Sequence, residues 1–193
     1  MPPIHPNETK PDTVAPDTAL TQYSMSKTIV CTLFGSPQIT VGTEVITKQF
    51  SPKMLALFAY LAVTKRRHGR DVLADMLWSE LSNEQARNNL RYVLSDLRQV
   101  VGDYLLITPQ TIGFNDHAPH RIDMVQFCTT FTATKTECSL AELQAAIDLY
   151  QGEFLLGFTV RNAPVFEEWV IMQRQMVHYL VVKPSHLAPY PPL

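Results

Sequence analysis

Apolar and β-branched residues concentrate in three short runs, at 28–34, 38–41 and 44–47. Gly35-Ser36-Pro37 and Gly42-Thr43 punctuate them as turns, so the pattern predicts a small antiparallel sheet. The periodicity then becomes helical. Leu55, Phe58, Ala59 and Ala62 recur at helix spacing behind Ser51, a good N-cap, and Pro52, which suits the first helical position. A second helix is predicted over 70–78, with Leu73, Met76 and Leu77 inward. Only Ser79, Glu80 and Leu81 separate it from a third, which Ser82 and Gln85 open as a capping box and Gly102 closes. Two helices joined by so short a turn suit a helix-turn-helix unit. Runs at 104–107 and 111–114, on either side of Thr108-Pro109-Gln110, predict a hairpin or wing.

Helical spacing dominates the remainder. Asp123 is read as the cap of one helix, Ser139 with Glu142 as the capping box of the next, and Pro164 as the start of a third ending near Val182. Leu140, Leu143, Ile147 and Tyr150 form an apolar stripe on the middle helix. The last helix carries Phe166, Trp169, Val170, Met176, Val177 and Leu180, and no further helix follows to cover them. That face is expected to be covered by a second copy or a partner, or to promote aggregation. The fold class is therefore α+β: a winged helix-turn-helix unit over 27–115, then an all-α unit over 116–182.

Composition adds boundaries to this outline. Of the 14 prolines, nine lie in the first 16 or last ten residues, so 1–26 and 183–193 are expected to be disordered or extended tails. The 46% hydrophobic share is ample for a core between them. The first 25 residues are polar and Pro-rich rather than a signal peptide, and no apolar run is long enough for a membrane span. Cys31, Cys128 and Cys138 are odd in number and lack paired zinc spacing, which points to a reducing, cytoplasmic setting without structural disulfides.

The net charge of −2 hides an asymmetry. Residues 51–115 hold eight Lys/Arg against six Asp/Glu, and residues 116–193 hold five against eight. Lys65, Arg66, Arg67 and Arg70 cluster, and a local basic patch matters more to a polyanion than the average does. Such a run is also what an ordinary solvated face looks like.

Stepping along the third helix at 100° per residue separates two faces. Ala86, Leu90, Val93, Leu94, Leu97 and Val101 fall on one side; Glu84, Asn88, Arg91, Tyr92, Ser95 and Gln99 on the other, with Arg87 and Arg98 on its flank. The polar side offers the donors that base edges and phosphates accept. It is equally the composition of a solvated helix face.

Over 28–180 the chain resembles the bacterial transcriptional activator domain (BTAD) regulators, which include the antibiotic regulatory proteins. The motifs are Val72-Leu73-Ala74-Asp75-Met76-Leu77-Trp78, Ala86-Arg87-Asn88-Asn89-Leu90-Arg91, Leu94-Ser95-Asp96-Leu97-Arg98 and Gly113-Phe114. Ile122-Asp123-Met124-Val125-Gln126-Phe127, Leu149-Tyr150-Gln151-Gly152-Glu153-Phe154-Leu155 and Glu168-Trp169 continue it. The resemblance implies an OmpR-type winged helix joined to a tetratricopeptide-like helical domain, here partial because the family continues through more helical pairs. It implies duplex DNA as partner, with RNA polymerase and a second copy of the chain as further partners. The third helix would enter the major groove and the 104–115 hairpin would touch the minor groove. Asn88, Arg91 and Ser95 would face bases, and Arg87, Tyr92 and Arg98 phosphates. Asp96 and Asn115 stand where the family usually carries basic residues, which implies modest affinity or dimeric binding to repeated half-sites.

Other chemistry is sparse. His117 and His120 flank Pro119 beside Asp116 and Asp123 without a fixed ligand geometry. Trp78, Trp169 and Cys31 suit packing. No phosphate-binding glycine loop or catalytic triad order is present, so neither an enzyme nor a cofactor is expected. The alternative is a protein-interaction module that keeps the fold without binding DNA.

Overall fold

The computed structural model describes residues 27–133 and 139–182; the two expected tails and Cys138 lie outside them. Strand β1 (Ile29–Thr32) pairs with β2 (Gln38–Val41), and β2 with β3 (Glu44–Val45), both antiparallel as expected. Helices α1 (Pro52–Thr64), α2 (Arg70–Trp78) and α3 (Asn83–Val101) follow, then the hairpin of β5 (Leu105–Ile107) and β6 (Thr111–Phe114). Ser51 caps α1 by accepting from the Met54 amide at 3.3 Å. The helix stops where Lys65 turns left-handed at φ 51°. Every residue from Met54 to Ala59 is buried, so α1 is apolar all round and forms the centre of the unit. Helix α3 is the opposite case: Ala86, Leu90, Leu94, Leu97 and Val101 are buried, Val93 and Val100 pack half-buried beside them, and the polar side faces outward.

Two strands escaped the periodicity. β4 (His68–Gly69) adds to the hairpin, giving the order β4-β6-β5. β7 (His120–Ile122), expected as loop, lies parallel to β1 and completes the first sheet as β3-β2-β1-β7. The N-terminal sheet thus uses residues up to 122, and one hydrophobic core runs from Ile29 to Leu180.

Helices α4 (Asp123–Thr132), α5 (Leu140–Leu149) and α6 (Pro164–Val182) complete six α-helices among the described residues. Asp123 does not cap α4 as expected. Ile122 holds the N-cap position, and the buried Asp123 carboxylate accepts from the amides of Leu33 at 2.7 Å, Phe34 at 2.9 Å and Met124 at 2.6 Å. Gly35 and Leu155 tighten the same junction, through Gly35 N–H to Glu153 O at 2.9 Å and Leu155 N–H to Leu33 O at 2.8 Å. Gly152, at φ 154°, leaves no room for a side chain there: a Cβ would stand 3.3 Å from Gly35 Cα.

Two expectations about the helical half are overturned. The α6 face is covered within the chain: Phe166, Trp169, Val170, Val177 and Leu180 are all buried. Trp169 meets Tyr60 of α1 edge-on at 4.9 Å and Phe154, which follows α5, at 5.6 Å, so the cover comes from within the chain. The α5 stripe, by contrast, is split: Leu140 is 87% and Ile147 51% exposed, whereas Leu143 packs against the core and Tyr150 meets Phe34 edge-on at 5.2 Å.

Candidate nucleic-acid interface

Ser82 anchors the start of α3, its hydroxyl accepting from the Gln85 amide at 3.4 Å and donating to Gln85 Oε1 at 3.1 Å. The 19-residue helix then exposes Asn88, Arg91, Tyr92, Ser95 and Arg98, with Tyr92 72% exposed. Arg91 and Arg98 form no ion pair or side-chain hydrogen bond among the described residues. Asp96 is exposed on the same helix.

The other cations singled out in the sequence are held by the protein. Arg87 of α3 grips Asp71 of α2 through two parallel bonds, Nε to Oδ1 at 2.6 Å and Nη2 to Oδ2 at 2.9 Å. Hydrogen bonding to Arg87 holds the Asp71 carboxyl below the usual carboxylate range, and the pair raises the guanidinium in turn. Arg70 reaches the hairpin, donating to Thr108 O from Nε at 3.2 Å and Nη2 at 2.8 Å. Lys65 pairs with Asp116 at 2.9 Å and lies 2.7 Å from His120 Nε2. His120 Nδ1 lies 2.8 Å from Ala118 O, so it donates there and Nε2 accepts from the lysine. This occupies the histidine flagged beside Asp116, and among the described residues no three potential metal ligands converge.

Arg66 and Arg67 are exposed but line a cleft between α1, α4 and α6, to which α3 contributes no residue. The four-residue basic run is therefore dispersed to three destinations. Its backbone also explains Gly113 in the wing: a Cβ there would stand 3.1 Å from Arg66 O and 3.2 Å from Arg67 Cγ.

Sequence reasoning missed Lys53. Its ammonium donates to the Leu77 carbonyl near the end of α2 and to Asn162 O at 3.0 Å, and lies 5.3 Å above the Trp78 ring. Burial pulls its pKa down, against the opposing pull of Glu80. It ties α1 and α2 to the turn before α6. Its position one residue after Pro52 gave no hint of these distant partners.

Among the described residues no helix is long and apolar enough to cross a membrane. The sequence matches no protein-family profile, and no curated protein sequence matches it. Among solved structures the fold is similar to that of Mycobacterium tuberculosis EmbR, determined in complex with a low affinity phosphopeptide. The TM-score is 0.58 at 22% identity; the match covers 79% of this chain and 44% of that one, so this chain shares the fold of somewhat under half of EmbR.

Proposed function

We propose that the chain is a sequence-specific transcription regulator whose first unit is a winged helix, with α3 as the helix that enters the major groove and the β5–β6 hairpin as the wing. The observation that carries this reading is the two-faced character of α3. One face is locked into the core, while the other presents Asn88, Arg91, Tyr92, Ser95 and Arg98 outward, the two arginines unpaired among the described residues. Asn88, Arg91 and Ser95 have the chemistry for base edges; Tyr92 and Arg98 have that for phosphates. Arg87, Arg70 and Lys65 act first as positioning residues, since each is already engaged by the protein. The likeness to EmbR in fold is consistent with this assignment. The α4–α6 unit is read as a tetratricopeptide-like helical domain, open to a second copy of the chain or to RNA polymerase.

A second reading, a protein-interaction module without DNA binding, is favoured by one observation: Asp96 places a carboxylate on the exposed side of α3. Fluorescence anisotropy with labelled promoter fragments and random duplex, at two salt concentrations, separates the two. A DNA reader binds at low salt and weakens steeply as salt rises, because neutralised phosphates release counterions. Absence of binding even at low salt would sink the DNA-reading assignment and leave the interaction module.

A further inference from the structure

The cleft between α1, the 66–68 bend, α4 and α6 has a volume of about 770 Å³. That lies within the roughly 300–1,000 Å³ typical of small-molecule sites. Its walls combine aromatic rings with thioethers. Tyr60 and Trp169 meet edge-on at 4.9 Å, the Tyr60 and His68 rings lie tilted at 4.8 Å, and Met124, Met172 and Met176 fill the space around them. Polarizable sulfur and ring faces suit a flat aromatic body.

The polar groups are fewer and more telling. Gln173 is only 7% exposed, lines the cleft, and forms no side-chain hydrogen bond among the described residues. Among those residues, no fully enclosed side-chain nitrogen or oxygen lacks a partner, so the Gln173 carboxamide must reach the cleft surface. An amide that no protein group satisfies and that opens only onto the cleft is met there by water or by a polar group of a ligand. The Tyr60 hydroxyl, half-buried, is likewise without a hydrogen bond among the described residues. Arg66 and Arg67 add positive charge to the lining, and none of the described lining residues is acidic.

We propose that this cleft is a binding site for a small aromatic carboxylate carrying a second polar group. Arg67 meets the carboxylate, the Tyr60–Trp169–methionine walls hold the ring system, and the Gln173 carboxamide takes the second polar group. The assignment does not depend on DNA binding, since no α3 residue lines the cleft.

Calorimetric titration of the full chain with 6-hydroxy-2-naphthoate, 2-naphthoate and 2-naphthylmethylammonium tests it. The hydroxy acid should bind once per chain with Kd below about 1 mM, the plain acid several-fold more weakly, and the ammonium not measurably. Arg67→Glu should weaken both acids by roughly tenfold or more. Gln173→Leu should abolish the preference for the hydroxy acid without lowering the melting temperature, because it removes an unpartnered buried amide. Met176→Trp, which fills the cleft, should eliminate binding while circular dichroism stays native. The proposal is overturned if neither acid binds, if the ammonium binds equally well, or if the preference survives Gln173→Leu.

Discussion

Arg87 and Asp71 form a two-pronged ion pair between α3 and α2, with heavy-atom distances of 2.6 and 2.9 Å. Both side chains are exposed, so the pair orients the two helices more than it stabilises them. It also neutralises a guanidinium on the flank of the exposed α3 face. Asp71→Asn should therefore leave the melting temperature almost unchanged while strengthening duplex binding at low salt, read by anisotropy. Weaker binding would mean that the orienting role outweighs the charge.

Arg91 and Arg98 should separate in their effects. Arg91 lies among Asn88 and Ser95, so Arg91→Ala is expected to cost about 1–3 kcal/mol on the correct site and blur preference at one base position. Arg98→Ala should weaken all sequences alike and reduce the salt slope by about one. Competition binding against single-base operator variants makes the comparison. Equal, sequence-independent losses would remove Arg91 from base readout.

Asp96 is the repulsive element on the same helix. Asp96→Arg changes the local charge by two and should raise affinity for random duplex while steepening its salt dependence. The melting temperature should scarcely move, because the side chain is exposed. An unaltered affinity would place Asp96 away from the DNA surface.

The legible parts of this fold are the local ones. α3 could be read because its apolar stripe, its Ser82 cap and its polar face lie within one helix. β7 could not, because three residues give no alternation and their partner strand begins about ninety positions earlier, with Ile29 opposite His120. The same distance hid Asp123, whose acceptors' partners, Leu33 and Phe34, have no sequence mark. Composition identified the basic residues of the candidate interface but not their engagements. Asp71 for Arg87, Thr108 for Arg70 and Asp116 for Lys65 all come from other elements. The apolar face of α6 is plain in the sequence, but its cover is not, because Tyr60 of the first unit lies about a hundred positions from Trp169.

The Asp123 carboxylate should govern both stability and its pH dependence. Asp123→Ala strands the buried amides of Leu33 and Phe34, at about 1–3 kcal/mol each, for a loss of roughly 2–6 kcal/mol in urea unfolding. Burial pushes the Asp123 carboxyl above its ordinary value of 3.8, against the pull of its backbone N–H donors. A raised folded pKa means the native state holds the proton more tightly than the unfolded chain. The stability from this linkage is complete below the unfolded pKa and is lost as pH rises through the folded one. Relative to Asp123→Ala, the parent chain should lose part of its advantage as pH rises from just below to well above the ordinary carboxylate pKa. A parent advantage that grows over that interval would show instead that the backbone donors hold the carboxyl below its ordinary value.

Trp169 and Leu140 give the sharpest contrast between what looks apolar in the sequence and what is buried. Trp169 is 6% exposed and packs against Tyr60, Phe154 and Phe166, joining α6 to the first unit. Trp169→Ala should cost about 3–5 kcal/mol, through lost burial and the cavity left behind. Leu140 is 87% exposed at the start of α5, so Leu140→Ser should change stability by less than about 0.5 kcal/mol. Urea denaturation of the two variants and the parent provides the comparison. If α6 were instead covered by a second copy of the chain, the Trp169→Ala loss would vary with protein concentration and light scattering would show a dimer in the parent. A concentration-independent loss of the expected size would tie the two units together within one chain.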